Sequence, residues 1–251
     1  MTFIRKAVIL AAGNGRRLAH LSGGLPKPLV KLHGRPLLEH VLLGAQEAGI
    51  EEFVVVLGYG GELIHSYFAG DRRFDIKWVN NPDYHKDNGV SLLAAADLIS
   101  EPFLLLMSDH IFEPETASKL LQQPLRHDEV ILAVDPKIES IFDIDDATKV
   151  VSIHNYIVEI GKQLRSYNAV DTGMFLCSPM IFYWLHAVMQ DGNCSLSDGM
   201  RAMARNRKFR AFDIGDATWQ DVDNPEMFEH AREVFGRPTE TSARELEMSG
   251  V

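Results

Sequence analysis

The residues of this chain best suited to chemistry are three cations near its start and a few aspartates far from them. Gly13-Asn14-Gly15-Arg16-Arg17 follows the apolar run Ala7 to Ala12, and Lys27 stands between Pro26 and Pro28. Glycines let main chain approach an anion, successive N–H groups form a concave nest, and neighbouring cations neutralise the charge. Such a loop, entered through Leu10, Ala11 and Ala12, suits a triphosphate. It is not a dinucleotide fingerprint, because Gly13 and Gly15 are followed by Leu18 at the sixth position. It also lacks the Gly-Lys-Ser/Thr ending of a Walker loop, and the further motifs of a kinase are absent.

Ser108-Asp109-His110 closes the most apolar run of the chain, Phe103 to Met107. A carboxylate leaving a buried strand beside a triphosphate is placed for Mg²⁺, which takes one or two carboxylates plus substrate phosphates. Asp221, two residues after Trp219, is the expected second ligand, and Asp223 competes for that place. His110 reads as structural, since a phosphate monoester is largely a dianion at neutral pH and needs no general base. Alignment and charge neutralisation are then the main tasks of the protein. In Lys86-Asp87-Asn88-Gly89-Val90-Ser91-Leu92, the pair Asn88-Gly89 reads as a turn ahead of a helix. That turn would offer Asn88, Gly89, Ser91 and main-chain N–H groups to a base edge.

The elements that must position these groups alternate along the chain. Strands are expected at Ile4 to Ala12, Phe53 to Leu57, Asp75 to Val79, Phe103 to Met107 and Val130 to Val134. Helices are expected at Pro36 to Ala48, Glu62 to Phe68, Ser91 to Ile99 and Glu115 to Leu121. This pattern predicts an α/β fold, doubly wound, with a mostly parallel sheet covered on both faces. Ligands then bind outside the carboxyl ends of the strands, where both the glycine loop and Asp109 fall. Lys149 to His154 and Tyr156 to Gly161 alternate in period two about Asn155, which predicts a small β-hairpin insertion over the substrate side, within residues 136–168. Strands at Ala169 to Leu176 and Phe209 to Ile214 and helices at Met180 to Met189 and Leu196 to Ala204 follow. Asn224-Pro225 then caps a last helix. One domain over residues 1–236 and a polar tail over 237–251 are expected.

With 46% hydrophobic residues over 251 positions, the chain can bury a substantial core. Its 35 acids against 25 bases leave a formal charge of −10, which excludes a DNA-coating or acid-membrane-binding protein and predicts no nucleic-acid partner. Two cysteines, Cys177 and Cys194, form no CxxC pair and point to a reducing compartment. The first six residues lack the apolar stretch of a signal peptide. No run approaches the roughly 20 apolar residues of a membrane helix. A cytoplasmic protein without membrane insertion is expected, with a homo-oligomer left open.

Ala11-Ala12-Gly13-Asn14-Gly15-Arg16-Arg17-Leu18 with Pro26-Lys27-Pro28 resembles the signature of the sugar-phosphate nucleotidyltransferases. The serine or threonine which that family carries before its arginine is Arg16 here, so Arg16 and Arg17 compete for the phosphate contact, and alignment favours Arg17. Asp145-Asp146-Ala147-Thr148-Lys149, Glu159-Ile160-Gly161-Lys162, Val170-Asp171-Thr172-Gly173 and Trp219-Gln220-Asp221-Val222-Asp223 follow in order. Together they resemble the CTP:inositol-1-phosphate cytidylyltransferases over roughly residues 4 to 235. The resemblance implies a Rossmann-like nucleotidyltransferase fold and formation of CDP-inositol and pyrophosphate from CTP and inositol 1-phosphate, with Mg²⁺. It assigns Arg17 and Lys27 to the triphosphate, Lys162 to the acceptor phosphate, and Thr172 and Gly173 to the acceptor pocket, with Lys149 a weaker candidate. It also implies that the Asn88 loop reads the base. In that group a membrane-bound transferase is often fused downstream, and a stand-alone form is expected here. Phosphocholine, a phosphonate or a hexose 1-phosphate are the alternative acceptors. A non-catalytic regulatory homologue would be expected to lose a metal carboxylate or the Pro-Lys-Pro lysine, and this chain keeps both.

Overall fold

The computed structural model describes residues 3–18 and 23–236. The tail expected from residue 237 and the first two residues lie outside that set, as does the side chain of Arg16.

Why the chain takes a doubly wound form is visible in its first strand. β1 (Lys6–Ala11) alternates in period two. Ala7, Ile9 and Ala11 enter one apolar layer, together with Leu38, Val41 and Ala45 of α1 (Leu37–Glu47). Val8 and Leu10 enter the opposite layer, with Leu92 of α3 (Asn88–Leu93) and Met200 of α6 (Leu196–Arg205). β2 (Lys31–Leu32) and β3 (Arg35–Pro36) form a short hairpin ahead of α1. Next come β4 (Glu52–Leu57), α2 (Gly61–Phe68), β5 (Asp75–Asn80), β6 (Phe103–Met107), β7 (His110–Phe112), α4 (Pro114–Leu121) and β8 (Val130–Asp135). β9 (Lys149–Ile153), β10 (Tyr156–Gly161), β11 (Ala169–Cys177), α5 (Met180–Val188), β12 (Phe209–Asp213), β13 (Trp219–Asp221) and α7 (Pro225–Val234) complete the order.

Among the described residues, nine strands form the main sheet in the order β5-β4-β1-β6-β11-β8-β12-β10-β9. The half built from β5, β4, β1 and β6 is parallel, as is the β12–β8 pair. β11 runs antiparallel to β6 and β8, and the β9–β10 hairpin is antiparallel throughout. The sheet expected to be mostly parallel is thus mixed, its parallel pairs lying in the β5-β4-β1-β6 half and at β12–β8. The hairpin also departs from its expected place as a cover. β10 meets β12 at Tyr156 and Arg210, and β9 meets β11 through Val150 and Lys149, so β8, β11, β9, β10 and β12 close into a ring. The two-residue turn His154-Asn155 has φ of 48° and 62°, the left-handed pair that tight hairpins require.

α3 starts earlier than the sequence pattern predicts. Asn88 and Gly89 are its first residues, and the turn expected there is absent. Tertiary contacts explain the shift: Asn88 Oδ1 accepts from Leu196 N–H at 2.9 Å, and Asp87 and Asn193 exchange two hydrogen bonds. A Cβ on Gly89 would lie 2.5 Å from the Cys194 carbonyl oxygen, so the glycine lets α3 lie against the start of α6. A third apolar cluster joins Leu18, Val30, Leu32 and Leu37 to Ile111, Val222 and Ala231. It fastens the segments carrying Arg17 and Lys27 to β7, to the residue after β13 and to α7.

Candidate active site

β1 ends at Ala11, and the chain turns through Gly13–Gly15 into a 3-10 turn, Arg16–Leu18. Gly15 has φ of 53°, and a Cβ there would lie 2.5 Å from Lys27 Cβ. The glycine therefore permits both the left-handed turn and the close approach of Lys27. Lys27 heads a second 3-10 turn and is 8% exposed, with its ammonium bonded to Asp109 and Asp223.

Asp109 follows β6, whose parallel pairing with β1 continues one step further as Ser108 N–H donates to Leu10 O. β7 and β13 pair antiparallel, with His110 opposite Asp221. Val222 N–H then donates to Asp109 O at 3.0 Å. That short ladder brings two distant segments together. Val222 turns into the apolar cluster, while Asp221 and Asp223 both line the cavity above.

The cations and acids alternate in one line across the site. Arg17 bonds Asp223 and Asp146 at 2.8 Å each, and Lys162 bonds the other oxygen of Asp146 at 2.9 Å. Together with Lys27 this joins Asp109, Lys27, Asp223, Arg17, Asp146 and Lys162 in sequence. The three cations expected to do the work are thus in one network. Lys162 and Arg17 together hold the Asp146 carboxyl down at about 2. Asp109 is desolvated, yet Lys27 and His110 keep its carboxyl well below the usual range. His110 Nδ1 donates to Asp109 Oδ1 at 2.8 Å. Burial alone would lower the pKa of this ring, but Asp109, with Asp221 and Asp171 near it, raises it to about 9. Asp221 goes the other way: burial pushes its carboxyl up, against the pull of His110.

Two cavities meet at Asp109, Met107 and Asn88. The smaller, about 210 Å³, is walled by Leu10, Ala12, Gly13, Lys27, Lys86 and Ser91 among others. The larger, about 550 Å³, reaches from Asp109 past Asp146 and Lys162 to Trp219 and Asp135. Trp219 stacks on His110 with centroids 5.9 Å apart and donates Nε1–H to Asp135 Oδ2 at 2.9 Å.

Several expected site residues are placed otherwise. Thr172 Oγ1 donates to Ala133 O at 2.8 Å and is buried, so its hydroxyl is used inside the sheet. Its neighbours Asp171 and Gly173 line the larger cavity instead, at a register break in the β11–β8 pairing. Gly173, with φ of 75°, leaves room for His110, whose Cδ2 would lie 2.4 Å from a Cβ. Lys149 is buried, and its ammonium donates to the carbonyls of Asp145, Ala147 and Lys162 at 3.1, 3.3 and 3.1 Å; it ties two loops together. Ala11 points into the core. Asp223, not Asp221, is the late aspartate that joins the Lys27 network. Asp146, Asp171, Asp135 and His110 belong to the site although sequence reasoning gave them no role in it. The signal available for Asp146 and Asp171 was their place within the motifs of the inserted region.

A family model for the MobA-like NTP transferase domain matches residues 7–189. Over 222 residues the chain is 36% identical to the bifunctional IPC transferase and DIPP synthase of Rubrobacter xylanophilus, covering 88% of this chain and 49% of that protein. The chain spans about half the length of such curated relatives. It is also 30% identical over 238 residues to the UTP–glucose-1-phosphate uridylyltransferase AglF of Haloferax volcanii, covering 91% of this chain and 95% of that one. The solved inositol-1-phosphate CTP transferase from T. maritima matches with a TM-score of 0.85 at 25% identity, over 94% of this chain and 96% of that one.

Proposed function

Because the chain belongs to the MobA-like NTP transferase domain family, we propose that it joins CTP to inositol 1-phosphate, giving CDP-inositol and pyrophosphate. The observation that carries this reading is the pair of adjoining cavities with Lys27 and Arg17 at one end of a single ionic line and Lys162 at the other. The triphosphate lies along the Gly13–Gly15 loop, with Lys27 and Arg17 exchanging carboxylate partners for phosphate oxygens. The acceptor occupies the larger cavity with its phosphate at Lys162. One phosphate oxygen attacks the α-phosphorus in line, the bond to the β-phosphate oxygen breaks, and pyrophosphate leaves with its charge held by Lys27 and Arg17.

The donor set suits Mg²⁺. Asp109 and Asp223 converge on one ammonium, so their oxygens are close enough to share an ion. Among the described residues no group of three or more His, Cys, Asp or Glu is arranged to hold a metal ion, so substrate phosphates would have to complete its coordination. Mg²⁺ would neutralise phosphate oxygens as the two substrates approach. Asp109 and Asp223 would hold it, with Asp221 beside them.

Four nucleoside triphosphates tested against a panel of phosphorylated alcohols, read by pyrophosphate release, decide the matter. CTP with inositol 1-phosphate is expected to be fastest. A faster hexose 1-phosphate, phosphocholine or phosphonate, or no release with any pair, overturns the assignment. EDTA should abolish turnover, and Asp223→Asn should lose more of it than Asp221→Asn.

A further inference from the structure

The smaller cavity contains a hydroxyl whose hydrogen-bonding direction is set from behind. Ser91 lines that cavity and is 5% exposed. Its Oγ accepts from Asn81 Nδ2 at 3.0 Å. The amide of Asn81 has no freedom to reverse. Its Oδ1 accepts from Asp83 N–H at 2.9 Å, a bond that only the carbonyl end can make. Asn81 N–H is itself tied to Leu57 O at 2.8 Å. Asn81 is 2% exposed and lines neither cavity. A serine hydroxyl has one proton and two lone-pair sites. With a donor fixed on its inner side, Ser91 keeps its proton for a partner on the other side, and no protein group among the described residues takes it. Nearby, Asn88 has its Oδ1 occupied by Leu196 N–H, which leaves its NH₂ group, and Lys86, whose ammonium pairs with Asp83 at 3.3 Å, has donors to spare. These three side chains therefore offer donors to whatever enters. Cytosine presents two adjacent acceptors, O2 and N3. In uracil the same edge is interrupted by a proton on N3.

We propose that Asn81 is a positioning residue for base choice: it holds Ser91 as a donor toward N3 of the pyrimidine, which accepts in cytosine and repels in uracil. This rests on the cytidylyl reading above. Binding of CTP and UTP by calorimetry, beside kcat/KM for each, tests it without depending on the acceptor. In Asn81→Asp, one carboxylate oxygen can still accept from Asp83 N–H while the other accepts from Ser91, which reverses the hydroxyl. The CTP-to-UTP ratio should then fall by about tenfold or more, with UTP binding improved, because a hydrogen bond has been replaced by an unpaired group. Asn81→Ala, which frees the hydroxyl to rotate, should give an intermediate ratio. Ser91→Ala should lower the ratio and cancel any effect of Asn81→Asp in the double variant. Should the buried carboxylate prevent folding, Asn81→Ala and Ser91→Ala carry the test. An unchanged or raised ratio in a folded Asn81 variant overturns the proposal. A wild-type protein that binds UTP or a purine nucleotide better than CTP overturns the cytidylyl reading instead.

Discussion

Single residues in this site matter through what stands behind them. Gly13 and Gly15 belong to one motif but meet different surroundings. A Cβ on Gly13 finds nothing within 4 Å, whereas one on Gly15 meets Lys27 at 2.5 Å in a left-handed turn. Gly13→Ala should therefore fold with a wild-type melting temperature and bind nucleotide more weakly, since its methyl enters the smaller cavity. Gly15→Ala should lower the melting temperature as well, by displacing Lys27 from Asp109 and Asp223. Equal melting temperatures for the two variants would contradict this. The cations were legible in the sequence because glycine and proline flank them. Their carboxylate partners were not, because Asp146 and Asp223 reach Arg17 across 129 and 206 residues.

At the scale of elements, strand periodicity located most of the sheet, since alternation reports burial directly. It could not report that β9 and β10 join the sheet, because the contacts that join them are one residue pair for β12–β10 and two for β11–β9. Nor could it distinguish Asp171, which faces the cavity, from Thr172, which faces Ala133: the break in register that separates them leaves no trace in composition. Asp171 provides a pH test of that placement. Desolvation raises its carboxyl to about 6, against the Gly173 N–H bond that favours the charged form. A folded pKa above the unfolded one contributes stability that is full below the unfolded value of about 3.9 and is lost as pH rises through 6. Asp171→Asn, whose amide oxygen can keep the Gly173 bond, should melt higher than wild type at pH 8. Across thermal scans the difference should shrink between pH 6 and 4.

The whole molecule divides its labour between the parallel half of the sheet, which carries the glycine loop, and the ring of strands that carries Lys162. Lys162→Ala should raise the KM for the acceptor by about tenfold or more and that for CTP much less, as expected when a charge-assisted contact to one substrate is lost. Steady-state titration of each substrate reads the split, and equal rises would move Lys162 to the nucleotide side. The alternating line of charges has a further consequence for how substrates arrive. Its three aspartates and three cations sum to zero, so the line itself is an ion exchanger rather than an electrostatic funnel. On the proposed reading an incoming phosphate would displace a resident carboxylate, and the protein around it, at −10 overall, repels anions at long range. Long-range repulsion is screened by salt. Added NaCl should therefore quicken nucleotide association in stopped-flow mixing, whereas a cleft that attracted its substrate from a distance would be slowed.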